Sequence, residues 1–200
     1  MSKEKVVIDP KYVLVLTAKL AVTCIIVAGL LGLVNNVTAG PIAEINKAKT
    51  EAAMLAVVED ASSTFTDALE ITAAMSDAAT PYGGTITEAY GVQVGGADAG
   101  YAIKVVAGGS QGDIEMMVGI DADGAVTGVS VVTHSETSGI GDKVTGNQDG
   151  VLDQFIGMSH DTDGDFVMGG NVDAISGATV SSKGVTKGVN AAVAAAAVMG

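Results

Sequence analysis

Residues 12–34, YVLVLTAKLAVTCIIVAGLLGLV, carry a single charge in 23 positions. At about 1.5 Å per residue such a run makes a helix of about 34 Å, enough to cross a hydrocarbon core of about 30 Å. Any fold for this chain has to be arranged around that span. Lys19 interrupts it about two turns from its N-terminal end, where an ammonium snorkels back to the headgroups. Lys3, Lys5, Lys11 and Lys19 lie on the N-terminal side, against Lys47 and Lys49 shortly after the span. This bias places the N-terminus in the cytoplasm and residues 36–200 outside it. The competing reading is a cleaved signal peptide, for which Val37, Thr38 and Ala39 supply small residues, but the uncharged stretch is long for such a segment. Cys24 has ten further apolar positions behind it and reads as a small hydrophobe within the helix.

Composition narrows what the rest of the chain can do. Ten Lys and no Arg stand against 23 acidic residues, a formal net charge of −13, which is the wrong sign for a nucleic-acid binder. Six of those Lys and 21 of the acidic residues fall within residues 36–200, a net of −15. One Cys and two His, His134 and His160, leave no disulfide framework, thiolate cluster or multi-histidine metal centre. With 48% hydrophobic and only 16% charged residues, the chain folds rather than staying disordered. A mean hydropathy of +0.44 is high for a soluble domain, and the span is its source.

Beyond the span, Ile42, Ile45, Ala48, Lys49, Ala52, Ala53 and Ala56 follow a helical stripe, with Pro41 at the position just ahead where a first turn tolerates it. This predicts a juxtamembrane helix over residues 42–60, and residues 62–81 read as a mixed connector. After Pro81 the period changes to two, and residues 85–94, 101–107, 114–120 and 125–133 read as strands separated by glycines. Tyr101, Ile103 and Val105 alternate with Ala102 and Lys104, the pattern of a half-buried strand. Asp123 and Gly124 mark a hairpin, because glycine accepts positive φ. Met116 and Met117 read as core filler. Val185, Val189 and Val193 set a narrow apolar face on a C-terminal helix over residues 182–199. Residues 161–165, DTDGD, lack the glycine and glutamate spacing of a calcium loop and read as an acidic loop.

The chemistry points to residues 173–182, DAISGATVSS. A strand-like 172–175 runs through small residues into the last helix, with Ser181 or Ser182 as its cap. Thr179 presents a hydroxyl just before a helix N-terminus, where free amides and the macrodipole favour an anion. Lys183 and Lys187 follow in the first turns. Gly177 and Ala178 keep the hydroxyl open to another enzyme.

The pattern D-x-x-S-G-A-T-x-x-S resembles the acceptor motif of flavin transferases, which join flavin mononucleotide (FMN) to a threonine hydroxyl through a phosphoester bond. Upstream, residues 134–143, HSETSGIGDK, look like the Glu-Thr-Pro-Gly-Leu-Gly loop of the same FMN-binding domain, with Ser138 in place of the proline and Ile140 in place of the leucine. One N-terminal span followed by this domain is similar to the RnfG family, the FMN-binding component of the Rnf electron-transport complex, and the resemblance covers nearly the whole chain. It implies FMN held covalently by Thr179. Asp173, Ser176, Gly177, Ala178 and Ser182 would be the residues recognised by the transferase, and Glu136, Thr137, Gly139 and Gly141 the loop against the flavin. His134 is either a flavin contact or an ordinary strand-end histidine, Lys143 is a candidate for the phosphate or the isoalloxazine carbonyls or is simply solvated, and Lys183 is a candidate near the phosphate. FMN is a dianion that the net charge of residues 36–200 repels, so a tether would hold what the field expels.

The expected architecture is α+β: residues 1–35 as a cytoplasmic N-terminus and transmembrane helix, 36–80 as a juxtamembrane helical connector, and 81–200 as an antiparallel-sheet FMN-binding domain closed by a C-terminal helix. By resemblance, the chain is the electron-carrying redox subunit of a membrane complex coupling ferredoxin oxidation and NAD reduction to ion translocation, incomplete as an enzyme alone. Its partners would be the other Rnf membrane and redox subunits, a flavin transferase and membrane lipid, in a bacterial or archaeal cytoplasmic membrane. Two alternatives stay open: the corresponding FMN-carrying subunit of the Na⁺-translocating NADH:quinone reductase, and an anchored assembly module without flavin.

Overall fold

The computed structural model describes residues 10–58, 60 and 62–199, so Lys3 and Lys5 lie outside the described residues. It divides into two compact units, Met1–Lys47 and Ala48–Gly200. Helix α1, Pro10–Ala56, is the one helix among the described residues long and apolar enough to cross a membrane. Two expectations about it change. The break at Pro41 is absent, because α1 runs on through the proline despite the missing N–H. The buried stripe is Thr50, Ala53, Met54 and Val57, displaced from the predicted one, while Ile42 and Ile45 are exposed.

The second unit is built on a five-stranded antiparallel sheet in the order β1 (Thr64–Phe65), β2 (Gly84–Val94), β3 (Ala97–Gly108), β4 (Asp113–Asp121) and β5 (Val126–His134). The four long strands agree with the sequence periodicity to within a few residues. Asp121 carries the β4–β5 hairpin: its Oδ1 accepts the amides of Asp123 (2.9 Å) and Ala125 (2.8 Å), and Gly124 sits at φ 80°. Helix α2, Ala73–Ala79, is capped by the Thr72 hydroxyl, so the connector expected over residues 62–81 contributes a strand, a helix and Met75 to the main core.

Alternation along the strands assigns their two faces. Ile103, Val105, Met116 and Val118 join the main core, which helix α5, Thr179–Ala196, covers through Val185, Val189 and Val193. Ala102 and Met117 face the other way, into a second cluster with Ala53, Met54 and Val57. Burying each of the Val, Ile and Met side chains among these is worth about 1.5–3 kcal/mol. Helix α5 is enclosed more fully than a narrow face predicts. Asn190 is buried within it, where Oδ1 accepts the Phe166 amide (2.9 Å) and Nδ2 donates to the Phe166 carbonyl (2.9 Å), tying residues 159–172 over its outer side. Helix α3, Asp142–Thr145, follows β5, and the DTDGD stretch contributes to helix α4, His160–Asp163, capped by the Ser159 hydroxyl.

Two strand glycines seat the end of α1 on the second face. A Cβ at Gly119 would run into the Val57 carbonyl and the Thr127 hydroxyl, and one at Gly128 would lie 2.9 Å from Val57 Cα. Thr127 Oγ1 donates to the Val57 carbonyl (2.6 Å), while Lys104 Nζ bridges Thr50 Oγ1 (3.3 Å) and Glu88 (3.0 Å). Gly119→Ala should therefore cost about 1–3 kcal/mol through overpacking. Urea unfolding of the full-length protein in detergent, with amide exchange over residues 50–57, reads both the loss and its location.

Candidate functional site

Ala178 is the N-cap residue of α5, and no side chain caps the helix. An α-helix leaves its first amides without intrahelical acceptors, and their partial positive charge favours an anion. Thr179 is itself the first helical residue and is exposed, two residues after Gly177, which sits at φ 83°. The expected strand over residues 172–175 reduces to one bridge between Met168 and Val172, and the expected caps lie inside the first turn, where both are buried. Ser182 Oγ donates to the Ala178 carbonyl (3.1 Å) and accepts the Ile175 amide (3.3 Å), which fixes the turn leading into the helix. Ser181 instead donates to the Glu136 carboxylate.

Glu136 arrives from just beyond β5 and is 8% exposed. Its Oε1 accepts the amides of Ser110 (2.7 Å) and Gln111 (3.2 Å), in the turn between β3 and β4, and its Oε2 takes the Ser181 hydroxyl. Burial acts most strongly on this carboxyl and pushes it up, but the bonds from Ser181, Gln111 and Ser110, with the charge of His134, together prevail and hold it below the usual glutamate range. Room for the carboxylate depends on Gly109 and Gly141, where a Cβ would collide with its oxygens. The following loop is tied by the Thr137 carbonyl, which accepts the amides of Ile140 (3.2 Å), Gly141 (3.0 Å) and Asp142 (3.3 Å). Ser138, standing where the resembled loop has proline, donates to Asp142 Oδ2 (3.3 Å).

The two motifs meet. Glu136, Thr137 and Gly141 share with Gly177, Ala178 and Thr179 an open recess of about 160 Å³, which Ser110, Ile140, Val180 and Ser181 complete. Other candidates stand away from it. His134 is exposed at the end of β5, its Nδ1 accepting the Glu136 amide (3.2 Å). Gly139 occupies the outer loop at φ 77°. Asp173 is exposed, its backbone bonded to the Gln154 amide group, and Ser176 is exposed in the approach to the helix. Lys143 and Lys183 are exposed as well. Ser110 carries no motif of its own, with only the glycine at 109 to hint at it, and Ser181 reads in the sequence as a candidate helix cap rather than as a partner of Glu136.

The family model described as the FMN-binding domain matches residues 109–194, from the β3–β4 turn into the last turn of α5. The G-type subunit of the Na⁺-translocating ferredoxin:NAD⁺ oxidoreductase complex of Acetobacterium woodii is 33% identical over 96% of this chain and 95% of its own length. The chain belongs to the family of G-type subunits of ion-translocating oxidoreductase complexes. Within that family, the Methanosarcina acetivorans protein is 38% identical over 104 residues, about half of each chain (52% and 54%). The fold is shared more widely. The C-type subunit of the Na⁺-translocating NADH-quinone reductase from Parabacteroides distasonis, 19% identical, superposes over 76% of this chain and 90% of its own at a TM-score of 0.51.

The residues fit one end of a flavin nucleotide. An uncapped helix start suits a phosphate, and Ile140 and Val180, each more than half exposed, offer apolar surface beside it. The recess is well below the roughly 300–1,000 Å³ of cavities that enclose a ligand, so most of such a molecule would lie on the surface.

Because the folded Glu136 titrates lower than it does when unfolded, its stabilising contribution is complete at neutral pH and is lost as pH falls through the folded value, below the usual glutamate range. Denaturant midpoints measured across the acid range should fall more steeply for the wild type than for Glu136→Gln.

Proposed function

We propose that this chain is the electron-carrying flavoprotein subunit of an Rnf-type complex, with FMN joined to Thr179 by a phosphoester bond. The observation that carries the reading is the exposed Thr179 hydroxyl at an uncapped helix start, in one recess with the 136–141 loop. A shallow site on an acidic domain retains a dianion poorly, which favours a covalent tether. In forming it, Thr179 gives up its hydroxyl proton and its oxygen bonds to the FMN phosphorus, as the phosphoanhydride of an activated flavin nucleotide breaks and its other half leaves. Asp173, Ser176 and Gly177 are exposed on the approach to the helix, where a flavin transferase can read them; buried Ser182 instead shapes the turn.

Bound FMN would supply the electron chemistry, and the protein positions it. Glu136, Thr137 and Gly141 form the opposite wall of the recess, and Lys183 is the nearest cation along the helix. The α1 span offers too few polar groups for an ion path, so translocation belongs to the other subunits, with ferredoxin and NAD as the redox couple that the name of the Acetobacterium woodii complex gives. The lysine bias puts the FMN domain on the extracytoplasmic side of a bacterial or archaeal cytoplasmic membrane.

In a denaturing gel the wild-type band, taken from membranes that contain a flavin transferase, should fluoresce under ultraviolet light. Thr179→Ala should abolish the signal and Thr179→Ser should retain it. Protease added outside intact spheroplasts should remove the 48–200 unit, whereas protection until lysis would reverse the orientation.

A further inference from the structure

The resemblance makes Glu136 a flavin-side residue, but its surroundings describe a different task. Three segments distant in sequence converge on this one side chain: the amides of Ser110 and Gln111, the loop that carries Glu136, and the hydroxyl of Ser181. All three partners are donors, and an ionised carboxylate is an acceptor only, so each bond is matched with no donor left over. The site is also built for it, since neither Gly109 nor Gly141 tolerates a Cβ beside the carboxylate. Ser181 lies two residues beyond Thr179 in the same helical turn, so whatever fixes Ser181 fixes the acceptor hydroxyl. The N-cap residue supplies no side-chain bond, and Ser182 holds only the turn before the helix, through the Ile175 amide and the Ala178 carbonyl.

We propose that Glu136 is the positioning residue for the Thr179 hydroxyl, clamping the first turn of α5 to the β3–β4 turn and so shaping the recess. The proposal rests on Thr179 being the attachment point. Gln at this position keeps the amide bonds through its oxygen and turns its nitrogen toward the Ser181 oxygen. Ala removes all three bonds.

Flavin transfer to full-length Glu136→Ala, Glu136→Gln and Ser181→Ala should be timed with a purified flavin transferase, using in-gel fluorescence. Amide exchange of the unmodified proteins should be followed over residues 109–112 and 179–184. In Glu136→Ala the turnover rate should fall at least tenfold at near-constant KM for the protein substrate, since the exposed residues of the 173–177 segment are unaltered. Protection in both segments should drop together while β3 and β4 keep theirs. Ser181→Ala should show a smaller loss in the same direction, and Gln should restore most of the rate and the protection. Wild-type transfer by Glu136→Ala, or unchanged exchange in the 179–184 segment, overturns the proposal. Unmodified wild type would refute the attachment reading instead, and the exchange measurement would still report on the clamp.

Discussion

The fold and the site both depend on how closely α5 lies on the sheet. At Gly184 a Cβ would sit 2.6 Å from the Gly108 carbonyl oxygen, and at Gly188 it would sit 2.8 Å from the Met116 sulfur. Side chains at these two positions would lift the helix off the strands and separate its first turn from the β3–β4 turn. The Val185, Val189 and Val193 stripe drives the contact, but the glycines set its distance. With the helix that low, one glutamate reaches the backbone of one segment and a side chain of the other.

Much of this architecture was legible in the sequence because its signals are local. Alternation in β3 distinguishes Ile103 and Val105 from Ala102 and Lys104, and the structure places those sets on opposite faces. The hairpin at Asp121 is likewise a matter of neighbouring residues. Where the reading departs from the structure, tertiary contacts decide. Pro41 looks like a boundary, yet the helix continues through it. The stripe on the end of α1 is selected by the glycine seat at Gly119 and Gly128, which periodicity does not reveal. The wide burial of α5 follows from partners distant in sequence, helix α2 and the segment that Asn190 holds.

The two motifs were legible one at a time; their meeting was not, because 45 residues separate Glu136 from Ser181 and only packing joins them. The helix start was misplaced for an instructive reason. Capping rules look for a side-chain oxygen, and Ser181 and Ser182 supply two, yet the structure uses Ala178, which has none. The serines serve other partners. The empty cap position leaves the first amides of the helix without a side-chain acceptor.

The shallowness of the recess also bears on electron traffic. A redox ring resting on the skin of a domain needs no lid to open before a neighbour can approach it. If FMN is attached as proposed, transfer would depend on how near two surfaces come and for how long, and the tethered ring could meet one surface to gain an electron and another to lose it. The same openness would leave such a ring exposed to unintended oxidants, so shielding would fall to the neighbouring subunits.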